Sequence, residues 1–490
     1  MSHDYKNQRR ALERISVQAM LDRDLRPDFS GAVKQQIAHL HAPNASHETG
    51  LRDLTALLWC SIDNDDSRDL DQLTVCEELA NGAIKVLVAI ADVDTLVHKG
   101  SVIDQHAHAN TTSVYTSARI FPMLPEQLST NLTSLNPDAE RVAMVTEMVF
   151  NADASLAGSS IYRARVHNKA KLAYDAVSAW IDDEGPLPDA AQAVTGLDAQ
   201  LRTQDRLAQL LRARRYEQGA LEFETFQPRA VFKGDKIVGV EQQVQNRARQ
   251  LIEELMVATN ACTARFLVSK GVTSLRRVVR SPERWRRIVE VAHHYGEILP
   301  NDPDSGALEK FLARRRKADP LSFPDLSLVI VKLMGSGEYI VETPGATAVG
   351  HFALAERNYM HSTAPNRRYP DLVTSRLLKA ALKGVHSPYS NAELGALADH
   401  CTRKEDDARK VERRVRKSEV AMLLMSHIGQ KFEAIITGSS RGNTWIRTFT
   451  PPAEGRLASE LPELRIGQPL KVKLVAVDVE HGYIDFVLAD

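Results

Sequence analysis

Only four cysteines, Cys60, Cys76, Cys262 and Cys401, are spread over 490 residues, and no two of them form a C-x-x-C pair. That spacing excludes a disulfide framework and a zinc knuckle, and it fits reduced thiols in a cytosolic protein. Long apolar runs are missing too. Even a run such as Val86 to Ala91, which none exceeds, is far short of the roughly 20 residues a membrane span needs. The amino terminus, Met-Ser-His-Asp-Tyr-Lys, has no apolar signal core. A cytoplasmic protein without membrane contact is expected. Net charge is also lacking: 62 Lys and Arg face 63 Asp and Glu, a balance of −1. This excludes a globally basic nucleic-acid coat but leaves room for a local basic channel. No internal repeat or low-complexity tract is present. What remains is 43% apolar and 26% charged, the balance of a globular chain. At about 100–200 residues per domain, the length implies two to four units.

Residues 1–55 read as helical. Ala11, Ile15, Ala19, Met20 and Leu21 recur at helical spacing. Arg26-Pro27-Asp28 breaks the pattern, and Ser30 is placed to cap a second helix through Leu40. The pair is compatible with a helix-turn-helix, and equally with a small helical cap on the main body. Residues 56–425 read as a mixed α/β body. Lys85–Ala91 and Ser160–Val166 are strand candidates within it. Leu251, Leu255, Ala258 and Cys262 mark an amphipathic helix over 246–268, and another covers Asp371–Leu382. Residues 426–490 change character. Phe432, Ala434 and Ile436 alternate with polar partners, as do Val472, Leu474 and Ala476, and His481-Gly482 marks a turn before Tyr483–Leu488. Several short strands in so little chain predict a small β-barrel of the OB type.

Charge is segregated along this neutral chain. Residues 61–100 hold nine acids and three bases, whereas 264–320 hold thirteen bases and seven acids, and 402–418 hold eight bases and four acids. Any one run alone reads as a solvated helix face. An acidic focus beside basic stretches is also what a metal-dependent phosphodiester enzyme needs, with carboxylates for cations and Lys/Arg for phosphates. The densest chemistry is Asp63-Asn64-Asp65-Asp66-Ser67-Arg68-Asp69-Leu70-Asp71-Gln72. Carboxylates so close repel one another unless something positive sits among them. Hard oxygen ligands in a tight loop suit Mg²⁺, and Asp69 and Asp71 would face one side of an extended segment. Taken alone, the knot reads equally well as an exposed acidic loop. It lacks the glycine and closing glutamate of an EF-hand.

The spacing of Asp63, Asp69 and Asp71 resembles the signature of the RNase II/RNB family of exoribonucleases. Further blocks resemble the family in the same order. They include Val88-Ala89-Ile90-Ala91-Asp92, Thr112-Ser113-Val114-Tyr115, Ser134-Leu135-Asn136-Pro137 and Lys171-Leu172-Ala173-Tyr174-Asp175. Gly219-Ala220-Leu221-Glu222-Phe223, Ile252-Glu253-Glu254-Leu255 and His361-Ser362-Thr363-Ala364-Pro365-Asn366-Arg367-Arg368-Tyr369-Pro370-Asp371-Leu372 complete them. The final barrel resembles the S-one-type OB domain that closes family members. Two departures stand out. The family's fourth Asp, directly after the third, is Gln72 here, an amide without charge. The amino-terminal stretch is also too short and too helical for the cold-shock barrels with which members usually begin.

The resemblance implies a 3′→5′ exoribonuclease that releases 5′-nucleoside monophosphates from single-stranded RNA. It implies an α/β catalytic domain with a buried RNA tunnel, acting as a monomer. Asp63, Asp69 and Asp71, with Gln72 as an altered fourth member, would hold Mg²⁺, as two cations about 4 Å apart. Asp71 and Arg367 would be catalytic, the arginine stabilising charge on the phosphate. Tyr115 and Phe223 match the aromatics between which terminal bases stack. Tyr174 and Glu253 match positions that contact the ribose and select RNA by its 2′-hydroxyl. Gln72 keeps a different class open, a catalytically weakened RNA-binding protein on the same scaffold. A DNA exonuclease is disfavoured by Tyr174 and Glu253. Other candidates fail: Gly335-Ser336-Gly337 lacks the rest of a phosphate-cradling loop, His106-x-His108 has no third ligand nearby, and no nucleophile elbow is present.

Overall fold

The computed structural model describes residues 7–41, 50–137, 139–224, 228–242, 245–320, 322–440, 443–458 and 467–489. Parts of the regions expected to form an amino-terminal unit and a barrel, 1–6, 42–49, 459–466 and 490, lie outside the described residues. The chain opens with helices α1 (Gln8–Leu21) and α2 (Gly31–Ala38), then strands β1 (Arg52–Asp53), β2 (Cys60–Asp63), β3 (Gln72–Glu78) and β4 (Ile84–Ala91). Helix α3 (Val102–Asn110), a small hairpin β5–β6 (Val114–Tyr115, Ile120–Phe121) and strands β7 (Glu140–Phe150), β8 (Leu156–His167) and β9 (Ala170–Ala173) follow. Helices α4 (Tyr174–Ile181), α5 (Asp189–Gln192) and α6 (Leu197–Glu217) lead to the hairpin β10–β11 (Pro228–Lys233, Lys236–Gln242) and the long α7 (Arg247–Ser269). Strands β12 (Ser274–Val278) and β13 (Glu338–Glu342) enclose a three-helix insertion, α8 (Trp285–His294), α9 (Ser305–Ala318) and α10 (Phe323–Met334). Helices α11 (Tyr369–Lys383) and α12 (Asn391–Leu424) then deliver the chain to β14 (Lys431–Ser440), β15 (Asn443–Thr448), β16 (Glu454–Leu457), β17 (Pro469–Asp478) and β18 (Tyr483–Leu488).

The body is built on a seven-stranded mixed sheet in the order β1-β8-β7-β4-β3-β2-β9, so the expected mixed α/β architecture holds. Its centre explains the uninterrupted apolar run at β4. Leu87, Ala89 and Ala91 enter one core with α11 residues such as Leu372 and Val373, while Val86, Val88 and Ile90 enter another with α6 and α7. A strand covered on both faces has no polar side to alternate with. Helix α7 is capped by Asn246, whose side chain accepts from the Arg249 amide, and it buries Leu251, Leu255 and Cys262. The last five strands close into a barrel, with β16 and β18 parallel. This is the OB-type unit expected from the alternating pattern. One position departs from that pattern: a register shift after Leu474 turns Ala476 outward, whereas Val472 and Leu474 are fully buried. A bulge moves every later residue to the other face, and composition does not report it.

Ser30 caps α2 by accepting from the Val33 amide at 3.3 Å. The two amino-terminal helices pack on different bodies. Leu12 and Ile15 of α1 join the core of the barrel and α12, whereas Val33 and Ile37 of α2 join the core of the main sheet. The two helices thus contact both the barrel and the body. No helix among the described residues is long and apolar enough to cross a membrane. A buried ion pair, Arg447 of β15 with Asp325 of α10, also joins barrel to body. Both side chains are less than a tenth exposed, so truncating one strands the other's charge in a dry interface. Asp325→Ala should therefore cost about 3–5 kcal/mol of stability, read as a lowered midpoint in chemical denaturation.

Candidate active site

Strand β2 ends at Asp63 and β3 begins at Gln72, so the acidic loop hangs from the end of the central sheet. Leu70 is driven into the main core at 1% exposure. In an extended segment its neighbours must point the other way, and Asp69 and Asp71 do so together. Asp71 is almost fully buried. Its Oδ1 accepts from the Asn366 backbone N–H at 3.0 Å, and its Oδ2 lies 3.4 Å from Arg367 Nε without a hydrogen-bond donor. Asp69 Oδ2 accepts a long 3.5 Å hydrogen bond from the Tyr115 hydroxyl.

Gln72 turns its amide inward. Nε2 donates to both oxygens of Asp63, at 3.2 and 3.3 Å. A carboxylate only accepts, so it fixes which end of the amide faces it. Gln72 thus reaches the site through Asp63. Asp65 and Asp66 are exposed, and Asp66 lies on the cleft wall.

Burial sets the electrostatics. It pushes the Asp63 carboxyl up to about 7 despite the Gln72 amide, and Asp71 up to about 7 despite Arg367. Asp69 is also raised, again chiefly by burial. Such shifts mean that the site lacks enough positive charge for its carboxylates. Among the described residues, no three His, Cys, Asp or Glu side chains are gathered around one point for a metal. The donor chemistry nevertheless fits a hard cation, because the set offers only carboxylate oxygens and leaves Asp71 Oδ2 buried without a hydrogen-bond donor.

The arginine loop, residues 361–368, is held from several sides. Ser362 N and Oγ donate to Asn260 of α7. Ala364 N donates to Asp371 at the start of α11. Arg368 donates to the same Asp371 at 2.7 Å and faces away from the cleft. The Arg367 carbonyl accepts from Ser113 N at 3.0 Å and from Thr112 Oγ1 at 3.1 Å. This short ladder couples Arg367 to the hairpin carrying Tyr115. Just before it, Thr111 adopts φ +63°, a costly conformation for a β-branched residue. The turn directs the chain from α3 into the cleft wall. Glu412 of α12 then accepts from Tyr115 N at 2.9 Å.

The result is a cleft of about 660 Å³ lined by Asp69, Tyr115, Arg367, Arg416 and the acidic-loop residues Asn64 and Asp66. Tyr115 is 42% exposed in its wall. Tyr174 follows Ala173, the register partner of Asp63, and so stands beside the carboxylates. Arg249 lies over its ring at 4.5 Å and donates to Asn64 at 2.8 Å. Glu253, one turn further along α7, accepts from Gln245 at 3.1 Å and lies 3.5 Å from Arg215. Phe223 is not on this cleft. It is half-buried against the three-helix insertion with Leu221 and Trp285. The strand of chain bearing it is set by Gly219, whose φ is +92° and where a Cβ would meet the Gly306 backbone at 2.8 Å. The structure thus brings together Asp63, Asp69, Asp71, Gln72, Arg367, Tyr115 and Tyr174. It also brings in Arg249, Arg416, Glu412 and Asn366, which local sequence signals did not single out. A lone arginine or glutamate on an amphipathic helix carries no mark of what it faces.

Comparison with known proteins agrees with this architecture. Ribonuclease R of Escherichia coli (strain K12) is 30% identical over 93% of this chain and 60% of that protein. The chain spans about three-fifths of the length of these ribonuclease R relatives. Mycoplasma genitalium RNase R, solved in complex with ribose methylated single-stranded RNA, superposes with a TM-score of 0.88 at 23% identity, covering 99% of this chain and 78% of that one. Yeast Ssd1, a pseudonuclease, superposes with a TM-score of 0.68 at 16% identity, over 89% of this chain and 53% of that one. At these identities the structural likeness is one of fold. An RNase II-type exonuclease C-terminal S1 domain model matches residues 430–489, and with the RNB domain model matching residues 51–384, more than half of its length, this chain belongs to the RNB family.

Proposed function

We propose that the chain is an exoribonuclease that hydrolyses single-stranded RNA from the 3′ end, releases 5′-nucleoside monophosphates and requires Mg²⁺. One observation carries the reading. Arg367, nearly half exposed, stands 3.4 Å from the buried Asp71 and lines a cleft together with Asp69 and the exposed Tyr115. Asp63, Asp69 and Asp71 would hold the cation, with Gln72 acting through Asp63. Bound there, Mg²⁺ supplies activation of water and neutralisation of charge at the phosphate.

The chain's own residues supply the rest. Arg367 offers N–H donors to the phosphate and stabilises the charge that develops on it. Hydrolysis joins a water oxygen to phosphorus and breaks the bond to the 3′-oxygen, which leaves with the proton. Tyr115, and Phe223 from the insertion side, provide faces for terminal bases. Tyr174 and Glu253 read the ribose hydroxyl, which favours RNA over DNA. Four free thiols, three of them buried, support a cytoplasmic setting, where we place the protein as a monomer.

A second reading, an RNA-binding protein with weakened catalysis, draws on Gln72 and on the fold likeness to a pseudonuclease. End-labelled single-stranded RNA and DNA incubated with Mg²⁺ separate the two. Mononucleotides from RNA alone are expected, whereas RNA bound but left intact would favour the second reading.

Arg367→Ala should lower kcat by about 10²–10³-fold with little change in RNA affinity, measured by single-turnover hydrolysis beside equilibrium binding. Gln72→Asp removes a donor from Asp63 and adds a carboxylate next to it. The variant should need less Mg²⁺ for half-maximal activity, and its thermal midpoint should become more Mg²⁺-dependent than the parent's. A Mg²⁺ titration read by both hydrolysis and melting checks this.

A further inference from the structure

The reaction centre is assembled from two loops nearly three hundred residues apart in sequence. They touch through Asn366 N to Asp71 Oδ1 at 3.0 Å and Arg367 Nε to Asp71 Oδ2 at 3.4 Å. Neither loop is a regular element, so their register needs a support outside both. A third segment contacts each of them. It follows the wide helical turn Gln127–Leu132, whose Ser129 and Thr130 line the cleft.

There, Thr133 and Ser134 are both buried. Ser134 Oγ accepts from Leu70 N at 2.9 Å and donates to the Arg68 carbonyl at 2.9 Å, gripping the chain on either side of Asp69. Leu135 N adds a bond to the Leu70 carbonyl at 3.0 Å. Thr133 Oγ1 lies 2.5 Å from Asn366 Oδ1 and 2.9 Å from the Leu128 carbonyl, so its one proton is shared between the arginine loop and the turn before it. The Asn366 side chain is 1% exposed and immediately precedes Arg367. Two adjacent hydroxyls, on Cα atoms about 3.8 Å apart, therefore hold one loop each.

We propose that Thr133 and Ser134 are positioning residues that keep the acidic loop and the arginine loop in register; this rests on the hydrolytic reading above. The separate anchors of the arginine loop, Asn260 and Asp371, let the loop fold without Thr133. What Thr133 adds is the placement of Arg367 against Asp71. Small misplacements of reacting groups cost rate far more than binding.

Thr133→Val and Ser134→Ala remove each hydroxyl and keep the packing volume nearly intact. Each should lower kcat by about 10- to 100-fold while the KM for RNA stays near parental. Thr133→Ser should restore the rate. In an Arg367→Ala background, Thr133→Val should add no further loss, because the group it places is gone, whereas Ser134→Ala should still cost rate and raise the Mg²⁺ needed for half-maximal activity. Hydrogen exchange gives a readout free of turnover: Thr133→Val should speed exchange over 364–369, and Ser134→Ala over 66–72. A parent protein that hydrolyses nothing would remove the hydrolytic reading, and exchange would still decide whether the two hydroxyls hold the loops. Parental exchange in both variants, or a full additive loss for Thr133→Val on top of Arg367→Ala, would overturn the proposal.

Discussion

Burying carboxylates at the open end of a sheet is unfavourable unless donors and cations are brought to them, and much of this structure is arranged around that requirement. Asp63 and Asp71 sit at the sheet's end against Gln72 and the loop before α11, and burial drives both carboxyls upward. The compensation in the chain itself is partial. Gln72 gives one amide to Asp63, and the Asn366 backbone gives one N–H to Asp71. Arg367 stands beside Asp71 at 3.4 Å while remaining nearly half exposed to the cleft. A centre left short of positive charge in this way is suited to take up a cation and a phosphate together.

Elsewhere several buried charges meet partners of opposite sign. Arg376 of α11 meets Asp94, Asp104, the Val97 carbonyl and the Tyr389 hydroxyl. Arg215 of α6 meets Glu254 of α7, and Arg447 of the barrel meets Asp325 of the insertion. Such pairs contribute little net stability against an apolar alternative, but a broken one is strongly unfavourable. Their effect is to fix how α11, α7 and the barrel are seated. The stabilisation itself comes from the two apolar cores on either side of β4.

Several elements are legible in the amino-acid sequence because their signals are local. The apolar run of β4 reports burial on both faces, and the spacing of Leu251, Leu255 and Cys262 reports one face of α7. The alternation around Phe432–Ile436 reports a barrel strand. The acidic knot stands out for its charge density. Other features are not legible there. The outward turn of Ala476 follows from a register shift that leaves no compositional trace. The separate destinations of α1 and α2 depend on α12 and α3, which come far later in the chain. A Thr-Ser pair after a turn looks like any surface turn until Asn366 and Leu70 arrive on either side of it.

The amino-acid sequence alone determined the inventory of the site: three spaced carboxylates, an arginine pair, an amide at position 72 and the aromatics Tyr115, Tyr174 and Phe223. It also determined the periodicities that make the strands and helices carrying them. Tertiary structure decided direction. Arg367 and Arg368 are indistinguishable as neighbours, yet the extended backbone at Arg368 sends them to different sides. Asp371 accepts Arg368, whereas Arg367 is left facing the cleft. Gln72 could have offered its oxygen to a cation, but the acceptor oxygens of Asp63 turn its amino group inward. Phe223 is a lone aromatic in the sequence, and packing against Trp285 and Leu221 sets it on the insertion side rather than on the hairpin that carries Tyr115. In each case the deciding partner is remote in the chain or lies on a neighbouring element, and a hydrogen bond or packing contact of that kind exists only once the fold has closed.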